Sequence, residues 1–592
     1  MRLRFPLQTL FWIILLTTGA SAQSTNGTIS GLVLDPSGGA ITGADILIAN
    51  DATGVRYPGT TNGEGIYAVA NLPPGPYRIQ VSKSGFKTII KPDVVLNVQS
   101  AVAINFILPV GALSETLTVE GGAPLVNTES GSVSTVIDRN LVENLPLNGR
   151  SFNTLLQLTP GVVIAQATSN NQGQFSVAGQ RTSANNFTID GVSANFGVAP
   201  TVGLGTTGTG AAQAFSALGG TSSLISVEAL QEFRIETSSF APEFGRSPGG
   251  QVIFTTRSGT NSLHGGVYEF FRNDVLDANN WFANAASEPR SAERYNNFGG
   301  YLGGPIVRSK TFFFASYEGA RLRQPGIQVV QVPSEYARAV ANATLLPFLA
   351  AYPRPDDRTV VPGSYTSQFT GNFSNPSSLN AGSVRLDHTF GERFSVFVRY
   401  NEAPSNVASR SNALSEVDSV EIKTRTFTVG SNMTLTSQLA NSVRANYSRQ
   451  EAGSVSNLDS LGGAIPPPVN VLTPAPLTPA STFASFFTFD TSAYQNGFDA
   501  RNRNRQVNLA DDLEWMHGSH RFRFGSDWRM ILLDQRPYGA FLDYLANDVA
   551  SFLASGQVQL FAVAAKEAQY RIQALSFYAQ DTWSVTPRLT AT

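Results

Sequence analysis

Few side chains in this sequence could perform chemistry, and the best candidates lie close together near its C-terminal end. His517 and His520 have the spacing of two metal ligands, but no third ligand lies nearby in the sequence. Asp511, Asp512 and Glu514 could bind a cation or could face a polar lumen. We expect a polar turn at the histidines and a polar interior surface at the carboxylates. The sequence therefore predicts no metal-binding, cofactor-binding or catalytic residue.

Two glycine-rich stretches are similar to phosphate-binding loops. The segment Gly203–Gly208 satisfies G-x-G-x-x-G, with Glu228 about 20 residues further on. A dinucleotide site also needs a buried strand before the loop and a helix after it, and neither flank has that pattern. The second stretch, Gly304–Thr311, has Ser309 where a phosphate loop requires glycine. Neither stretch favours a nucleotide site.

Composition narrows the class of protein further. The chain has 592 residues, a formal net charge of -2 and 14% charged residues, so it lacks the basic surface of a nucleic-acid-binding protein. It contains no cysteine, which excludes disulfide scaffolds, thiolate metal sites and cysteine nucleophiles. A chain of this length is expected to fold as several units.

Residues 1–22 have the pattern of a secretory signal peptide. Two arginines precede the apolar run Leu10–Leu16, and the small residues Ala20 and Ala22 predict cleavage before Gln23. A buried N-terminal helix is the alternative. No later stretch has the ~18 continuous apolar residues of a membrane helix. The sequence therefore predicts an exported protein that is either soluble or a β-barrel.

Residues 27–108 contain five segments of alternating apolar and polar residues, separated by turns rich in Pro, Gly and Asn. This spacing predicts a small β-sandwich. The stretches "GTISGLVLDPSGGAITGADILIAN" and "TTNGEGIYAVANLPPGPYRIQVSKSGF" resemble the carboxypeptidase regulatory-like family. The resemblance implies a transthyretin-like sandwich, which some classifications group with carbohydrate-binding folds, and no catalysis. Tyr67, Tyr77 and Phe86 occupy alternating positions typical of core residues rather than of a sugar-binding platform.

Residues 113–125 form a linker with one short extended segment, Glu115-Thr116-Leu117-Thr118-Val119, followed by two glycines. Such a segment can offer its backbone to the sheet edge of another protein. It resembles the TonB box of outer-membrane transporters. The resemblance implies that residues 115–119 bind the periplasmic protein TonB by strand addition. A last strand of the sandwich is the open alternative.

Residues 126–260 are predicted to combine short helices with strands. We predict helices over Asp138–Asn144 and Ser151–Leu158, and a turn at Asp190-Gly191. Three stretches resemble the plug domain of TonB-dependent receptors, in the Oar-like group that also carries the regulatory-like domain: "STVIDRNLVENLPLNGRSFNTLLQLTPGV", "FSVAGQRTSANNFTIDGVSAN" and "SVEALQEFRIETSSFAPEFGRSPGGQVIFTTRSGTN". Under this resemblance, Gly245–Gly250 is the tight turn before a last plug strand, Gln251–Arg257.

Residues 261–592 are predicted to be strands of an outer-membrane β-barrel. Ten candidate strands alternate with long and short connections, and several have aromatic residues at their ends, as membrane strands do. The predicted strands are 264–272, 294–302, 311–319, 382–390, 394–402, 421–433, 439–450, 503–515, 521–531 and 573–583. Plugged transporters use about 22 strands, so we expect about half of the barrel to be missing and the chain to be a fragment.

The predicted fold class is mainly β, with a transthyretin-like sandwich, an α+β plug domain and part of a transmembrane antiparallel barrel. The resemblance implies a TonB-dependent receptor in the outer membrane of a Gram-negative-type bacterium. It is expected to take up a bulky nutrient such as a glycan, siderophore or peptide, and not to be an enzyme. An outer-membrane adhesion or glycan-binding protein without transport is the alternative, and a secreted sugar-acting enzyme is a second one.

The expected partners follow from this assignment. They are TonB, outer-membrane lipid and lipopolysaccharide, and an extracellular substrate, with carbohydrate as one candidate. The arginine-rich segment Arg501–Arg505 is expected to lie in a loop or to line the lumen, with contact to lipopolysaccharide as the alternative. No cofactor and no nucleic acid is expected.

Overall fold

The computed structural model describes residues 25–112, 115–119, 131–145, 147, 150, 153–165, 174–202, 213–219, 223–279, 281–285, 287, 289–290, 292–586 and 589–592. These residues form three units in chain order, which we call the sandwich, the plug and the wall. Most of their regular structure is β-strand. No helix in these ranges is both long and apolar enough to cross a membrane.

The sandwich packs two sheets around one apolar core. Its strands are β1 Gly27–Leu34, β2 Asp45–Asn50, β3 Arg56–Thr60, β4 Ile66–Leu72, β5 Gly75–Ser82, β6 Thr88–Leu96, β7 Ala101–Ala103, β8 Phe106–Ile107 and β9 Thr116–Thr118. One sheet has the order β4-β1-β7, with β8 also paired to β1, and the other has the order β3-β2-β5-β6-β9. Tyr67 and Tyr77 are fully buried and Phe86 packs against the same core. The prediction that these aromatic residues are core residues is therefore confirmed.

The plug has a five-stranded mixed sheet and a separate hairpin. Its strands and α-helices are β10 Val133–Ile137, α1 Arg139–Asn144, α2 Asn153–Leu156, β11 Val162–Ile164, β12 Phe175–Val177, β13 Asn186–Ile189, β14 Val192–Ser193, β15 Leu230–Ser238 and β16 Gln251–Thr256. The sheet order is β10-β15-β16-β13-β14, and β11 pairs with β12. Asp138 caps α1 by accepting a hydrogen bond from the Leu141 N–H at 2.9 Å. Asp190-Gly191 joins β13 to β14, as predicted. Ser151, the predicted start of the second helix, lies outside the described residues.

Two glycines before β16 allow plug segments to approach one another closely. A Cβ atom added to Gly249 would lie 2.4 Å from the carbonyl oxygen of Ala184, and one added to Gly250 would lie 2.7 Å from the side chain of Val177. A larger residue would push these segments apart. The glycine-rich stretch is therefore a close-packed turn before the last plug strand, as predicted.

The wall is a mainly antiparallel sheet whose long strands mostly follow one another in sequence. Its strands are β17 His264–Asn273, β18 Arg294–Val307, β19 Thr311–Pro333, β20 Thr366–Phe390, β21 Phe394–Ser409, β22 Glu416–Thr436, β23 Leu439–Leu458, β24 Thr482–Thr488, β25 Tyr494–His517, β26 His520–Gln535, β27 Ala540–Ala546, β28 Gln559–Ala564, β29 Ala568–Thr586 and β30 Leu589–Ala591. All ten predicted strands are present, as β17–β23, β25, β26 and β29. Among the described residues, β17 pairs only with β18 and β30 only with β29, so the sheet is not closed.

The two ends of the wall differ in their connections. Turns of two or three residues, such as 308–310 and 437–438, lie at the short-turn end, and longer connections lie at the long-loop end. The predicted loops are partly wrong, because wall strands extend into them and β24 pairs in parallel with β27 there. An apolar cluster that includes Tyr352, Phe486 and Phe552 holds these segments together. The α-helices of the wall are α3 Trp281–Ala285, α4 Glu335–Val340, α5 Leu346–Ala350, α6 Val469–Leu472 and α7 Val549–Ser555.

Candidate functional site

The predicted TonB box lies at the edge of the sandwich. Residues 116–118 form β9, which pairs in parallel with β6 through three residue pairs. The Thr88 N–H donates to the carbonyl of Glu115, and the Val119 N–H donates to the carbonyl of Ile90, each at 2.9 Å. The alternative prediction, a last strand of the sandwich, is confirmed, because β9 is the edge strand of the sheet β3-β2-β5-β6-β9. The structure therefore places the segment at a sheet edge, where strand addition is geometrically available.

The loop between β6 and β7 fixes the sandwich to the plug. The Val98 N–H donates to the buried carboxyl of Glu232, and Arg234 donates to the carbonyl of Gln99 at 3.2 Å. The Gln99 side chain donates to Glu243 at 2.9 Å. Glu232 and Arg234 alternate on β15 with apolar residues of the plug core. One face of this strand therefore packs inside the plug, and the other binds the sandwich.

Burial raises the pKa values of two carboxyl groups at this contact. It raises the pKa of Glu232 to about 8, and the nearby Asp138 carboxylate adds to the shift. Burial also raises the pKa of Glu243 to about 7, although the charge of Arg523 opposes the shift. Because a buried carboxyl favours its neutral form, the docked contact retains protons that the same groups lose in water.

We expect the contact between sandwich and plug to weaken as the pH rises from 4.5 to about 8. In this window the docked Glu232 is protonated whereas an undocked Glu232 is ionised, so the docked state binds more protons and loses stability with rising pH. Protease release of the sandwich from the intact receptor should therefore accelerate across the window. Glu232→Gln keeps a neutral hydrogen-bonding side chain and should flatten the profile. An unchanged slope would contradict this role of Glu232.

The sandwich also contacts hairpins at the short-turn end of the wall. Asn71 donates to the carbonyl of Asn441 and Asn62 donates to the carbonyl of Gly518, each at 3.0 Å. Asn261 links a sandwich loop to the turn between β18 and β19. Sandwich, plug and wall together line a cavity of about 200 Å³. The sandwich therefore sits on the short-turn end, beside the plug.

A buried ionic cluster joins the plug to the wall at the turn between β13 and β14. Asp190 accepts hydrogen bonds from the N–H and the hydroxyl of Thr256, both at 3.0 Å. Two arginines of the wall approach the same carboxylate, Arg385 at 3.3 Å and Arg399 at 3.9 Å. Only 2% of the Asp190 side chain is exposed. Its charge therefore serves to balance buried cations.

One wall strand holds the plug through amide side chains. Four alternate residues of β25 point inward and bond the plug backbone between residues 193 and 201. Asn504 donates to the carbonyl of Phe196 at 3.0 Å, and Gln506 donates to that of Ser193 at 2.9 Å. The four residues, which we call the amide comb, are Asn502, Asn504, Gln506 and Asn508. Sequence reasoning missed this role, although the alternation in "RNRNRQVN" is its signal.

The arginines of the same segment lie on the opposite face. Arg501, Arg503 and Arg505 alternate with the amide comb, so they point away from the plug. The prediction that Arg501–Arg505 form a loop is wrong, because the segment lies within β25. The prediction that this segment lines the lumen is correct only for its two asparagines, Asn502 and Asn504.

The three residues of the predicted acidic cluster do not all point to the same face of β25, because side chains alternate along the strand. Asp512 points inward and accepts a hydrogen bond from Arg523 at 2.8 Å. Asp511, one residue earlier, points to the opposite face. Glu514 accepts a hydrogen bond from the Thr28 hydroxyl of the sandwich at 3.4 Å. The expected polar interior surface is therefore observed for two of the three carboxylates, and the three do not converge on one cation.

His517 and His520 flank the turn between β25 and β26, as predicted for a polar turn. His520 Nδ1 lies 2.7 Å from the Asp581 carboxylate, and its ring stacks on Trp583. The ring of His517 lies beside Trp515. Within the part of the chain that the structure describes, no group of three or more His, Asp or Glu side chains could hold a metal ion.

The remaining sequence features are the predicted cleavage site and the two glycine-rich stretches. The predicted cleavage-site residues Ala20, Ala22 and Gln23 lie outside the described residues, as does the glycine-rich segment Gly203–Gly208. The near-match to a phosphate loop, Gly304–Thr311, is the end of β18 and its turn into β19. It is therefore an ordinary hairpin of the wall.

Three family models match successive parts of the chain. The carboxypeptidase regulatory-like domain matches residues 28–109, and the TonB-dependent receptor plug domain matches residues 126–250. The outer membrane beta barrel domain matches residues 255–344 and 339–592, more than half of the chain. These matches follow the order of sandwich, plug and wall.

The chain is also similar to individual proteins. The TonB-dependent transporter Oar of Myxococcus xanthus is 27% identical over 313 residues, which cover 50% of this chain and 27% of that protein. The outer membrane transporter YddB of Escherichia coli is 13% identical with a TM-score of 0.51, over 76% of this chain and 54% of that one. The ferric enterobactin receptor PfeA of Pseudomonas aeruginosa is 11% identical with a TM-score of 0.45, over 77% and 55%. The chain thus spans about half or less of the length of these proteins. As its sequence predicts, it belongs to the TonB-dependent outer-membrane receptors and carries a carboxypeptidase regulatory-like domain ahead of its plug.

Proposed function

We propose that this receptor is a transporter that imports a bulky nutrient across the outer membrane, and that Glu115–Val119 is its TonB box. The observation that carries this proposal is an extended strand at a sheet edge, immediately ahead of a plug. Leu117 in its centre is 46% exposed. A strand of this kind gives TonB a mechanical handle through main-chain hydrogen bonds, without chemistry at the site.

The contacts of the plug suit a part that moves under force. The amide comb binds plug backbone through neutral hydrogen bonds, and the Asp190 cluster adds one ionic anchor. We propose that TonB, driven by the inner-membrane proton gradient, pulls the segment and remodels the plug until these bonds break. The protein then needs no nucleotide and no catalytic group.

We place substrate selection at the long-loop end. Connections there are long and built around their own apolar cluster, and binding residues are concentrated on such loops. The sandwich is a poor candidate for a sugar site, because Tyr67 and Tyr77 are buried in its core. Glycans, siderophores and peptides are the substrate classes to test.

Site-specific crosslinking tests the proposal on the intact receptor. Leu117→Cys places the only thiol in this chain, since the sequence has no cysteine. We expect it to crosslink to the periplasmic domain of TonB, and more strongly when outer-membrane extract supplies a ligand. Ile107→Cys is a control at an exposed sandwich position away from the segment and should not crosslink. No crosslink from Leu117→Cys in a correctly folded receptor would refute the TonB box and favour an adhesion role.

The outward face of the wall carries an aromatic belt with charged residues beyond it. Tyr400, Phe427 and Tyr447 are neighbours on β21, β22 and β23, and aromatic belts mark the membrane interface. Toward the long-loop end, five cations share three carboxylates. These residues are Lys423, Arg425, Arg449, Arg503 and Arg505 with Glu402, Glu451 and Asp534. We propose that the excess positive charge binds the phosphates of lipopolysaccharide.

Removing two of these cations should reduce bound lipopolysaccharide. Each cation near an anionic membrane surface contributes about 1 kcal/mol, so Arg449→Ser with Arg503→Ser should weaken binding by about tenfold or more. The measurement is the lipopolysaccharide phosphate that co-purifies with the folded receptor. Asn502→Ser, on the inward face of the same strand, should leave it unchanged. Equal retention in both variants would contradict the proposed contact.

A further inference from the structure

The cavity where sandwich, plug and wall meet has an excess of positive charge. Its volume is about 200 Å³, and loops of the sandwich form one side of it. Arg385, Arg444 and Asp387 line it from the wall, and Asp190 lines it from the plug. Arg399 adds a third guanidinium group, which lies 3.9 Å from Asp190. Three buried cations therefore share two carboxylates.

Arg444 is the cation of this group that has no carboxylate of its own. Only 1% of the residue is exposed. It donates to the carbonyls of Ser431 and Val443, at 2.8 and 2.9 Å, and to the amide oxygen of Asn432 at 2.8 Å. No carboxylate within the described ranges forms an ion pair with it. A buried cation whose partners are all neutral is strongly disfavoured unless a counter-charge lies nearby.

The wall holds two of these cations against one aromatic ring. The guanidinium carbons of Arg385 and Arg444 lie 4.3 and 5.2 Å from the ring centroid of Phe397. Gly430 on β22 pairs with both Phe397 and Arg444. A Cβ atom added to Gly430 would lie 2.7 Å from the Arg444 side chain and closer still to the ring. The glycine therefore allows this approach, and the ring offsets part of the repulsion between the two arginines.

Two buried groups that line the cavity lack a hydrogen-bond partner within the part of the chain that the structure describes. They are Nε of Arg444 and the hydroxyl of Thr255, a plug residue that is 7% exposed. Asp512, a further carboxylate near Arg444, already pairs with Arg523 at 2.8 Å. Buried donors are normally satisfied, so two unsatisfied donors beside an excess cation indicate a bound acceptor with negative charge.

We propose that this cavity binds one inorganic phosphate ion, held by Arg385 and Arg444 of the wall and by the hydroxyl of Thr255 in the plug. The charge of the ion neutralises the excess cation, and its oxygens accept hydrogen bonds from the two unsatisfied donors. The cavity has room for the ion together with waters, since a water occupies about 30 Å³. The ion ties the wall to the plug beneath the sandwich and strengthens the Asp190 cluster. This role goes beyond the proposed function, because it involves neither the imported substrate nor TonB.

Equilibrium dialysis of radiolabelled inorganic phosphate against the intact folded receptor tests the site directly. We expect saturable binding of one ion per receptor. Arg444→Gln should weaken it at least tenfold, because it removes a charged donor. Arg321→Gln is the matched control, since Arg321 also donates to two backbone carbonyls and one asparagine, those of Ala320, Leu379 and Asn380. Arg321 is exposed and does not line this cavity, so its variant should bind phosphate as the wild type does.

A second variant and a second measurement make the test independent of one wall residue. Thr255→Val keeps the shape of the side chain, removes only the hydroxyl and should weaken phosphate binding about threefold. A ligand that binds only the assembled junction stabilises it. Phosphate should therefore raise the urea concentration at which a protease begins to cut the plug of the wild type, but not that of Arg444→Gln. Chloride at equal ionic strength should not have this effect.

Three results would overturn the inference. The first is the absence of saturable phosphate binding by the folded wild type. The second is equal phosphate affinity of the wild type, Arg444→Gln and Thr255→Val, which would place the ion elsewhere. The third is equal protection by chloride and phosphate, which would indicate a general effect of salt. None of these measurements involves TonB, so the crosslinking test of the proposed function stands or fails separately.

Discussion

Replacing Asp190 by alanine is expected to weaken the attachment of the plug to the wall by about 3–5 kcal/mol. The substitution removes the carboxylate that lies 3.3 Å from Arg385 and 3.9 Å from Arg399. It also leaves the Thr256 N–H without its side-chain acceptor. Asp190 has a φ of 51°, and alanine adopts this left-handed conformation at a further cost of ~1 kcal/mol. The plug should therefore come loose under much milder conditions.

The measurement is the urea concentration at which a protease begins to cut the plug of the folded receptor. Asp190→Asn is the matched variant, because asparagine tolerates the left-handed backbone and keeps one oxygen acceptor, so the loss should be about half as large. Asp387→Asn removes the carboxylate that bonds Arg385 at a position 20% exposed and should cost about 1 kcal/mol. If Asp190→Ala resists urea as the wild type does, the cluster does not anchor the plug.

The parts of the fold that depend on local alternation were predictable. The segments 394–402 and 439–450 contain apolar and polar residues in a two-residue period, and both are wall strands. The predicted strands are too short. The thickness of the membrane sets a minimum of about ten residues for a strand, but it does not limit how far the strand continues outside the membrane. From β17 to β23 the wall strands are neighbours in sequence order, but β24 lies between β25 and β27, and no local pattern indicates that.

The contacts between distant segments were not predictable. Tyr352 and Phe486 belong to one apolar cluster but lie in different predicted loops, so no local pattern joins them. Glu232 and Arg234 have the alternation of an ordinary polar strand face, and their partner loop belongs to the sandwich. The proposed TonB box shows the same limit. Its sequence indicates an extended strand, but which partner pairs with that strand depends on neighbours that sequence alone does not place.

Replacing Asn504 and Gln506 together by alanine is expected to loosen the plug by about 2–6 kcal/mol. Both side chains are fully buried and donate to plug carbonyls, at 3.0 Å from Phe196 and 2.9 Å from Ser193. Removing each donor leaves a buried carbonyl without its partner, at a cost of about 1–3 kcal/mol. The plug segment 193–202 should then become sensitive to protease at lower urea concentration.

The control uses the alternation of the same strand. Arg501→Gln with Arg503→Gln changes two outward side chains of β25, while Arg505 continues to neutralise Asp534, so the plug should remain as resistant as in the wild type. Equal sensitivity of the two double variants would mean that β25 itself has been disturbed, and that the amide comb is not what holds the segment. A loss confined to Asn504→Ala/Gln506→Ala would locate the attachment in these two neutral side chains of the amide comb. Because such bonds carry no net charge, their strength should change little with the salt concentration. The Asp190 cluster is ionic, so its strength should depend on the salt concentration more than theirs does. A pull from TonB would then meet two kinds of resistance in the plug, one along β25 and one at the turn after β13.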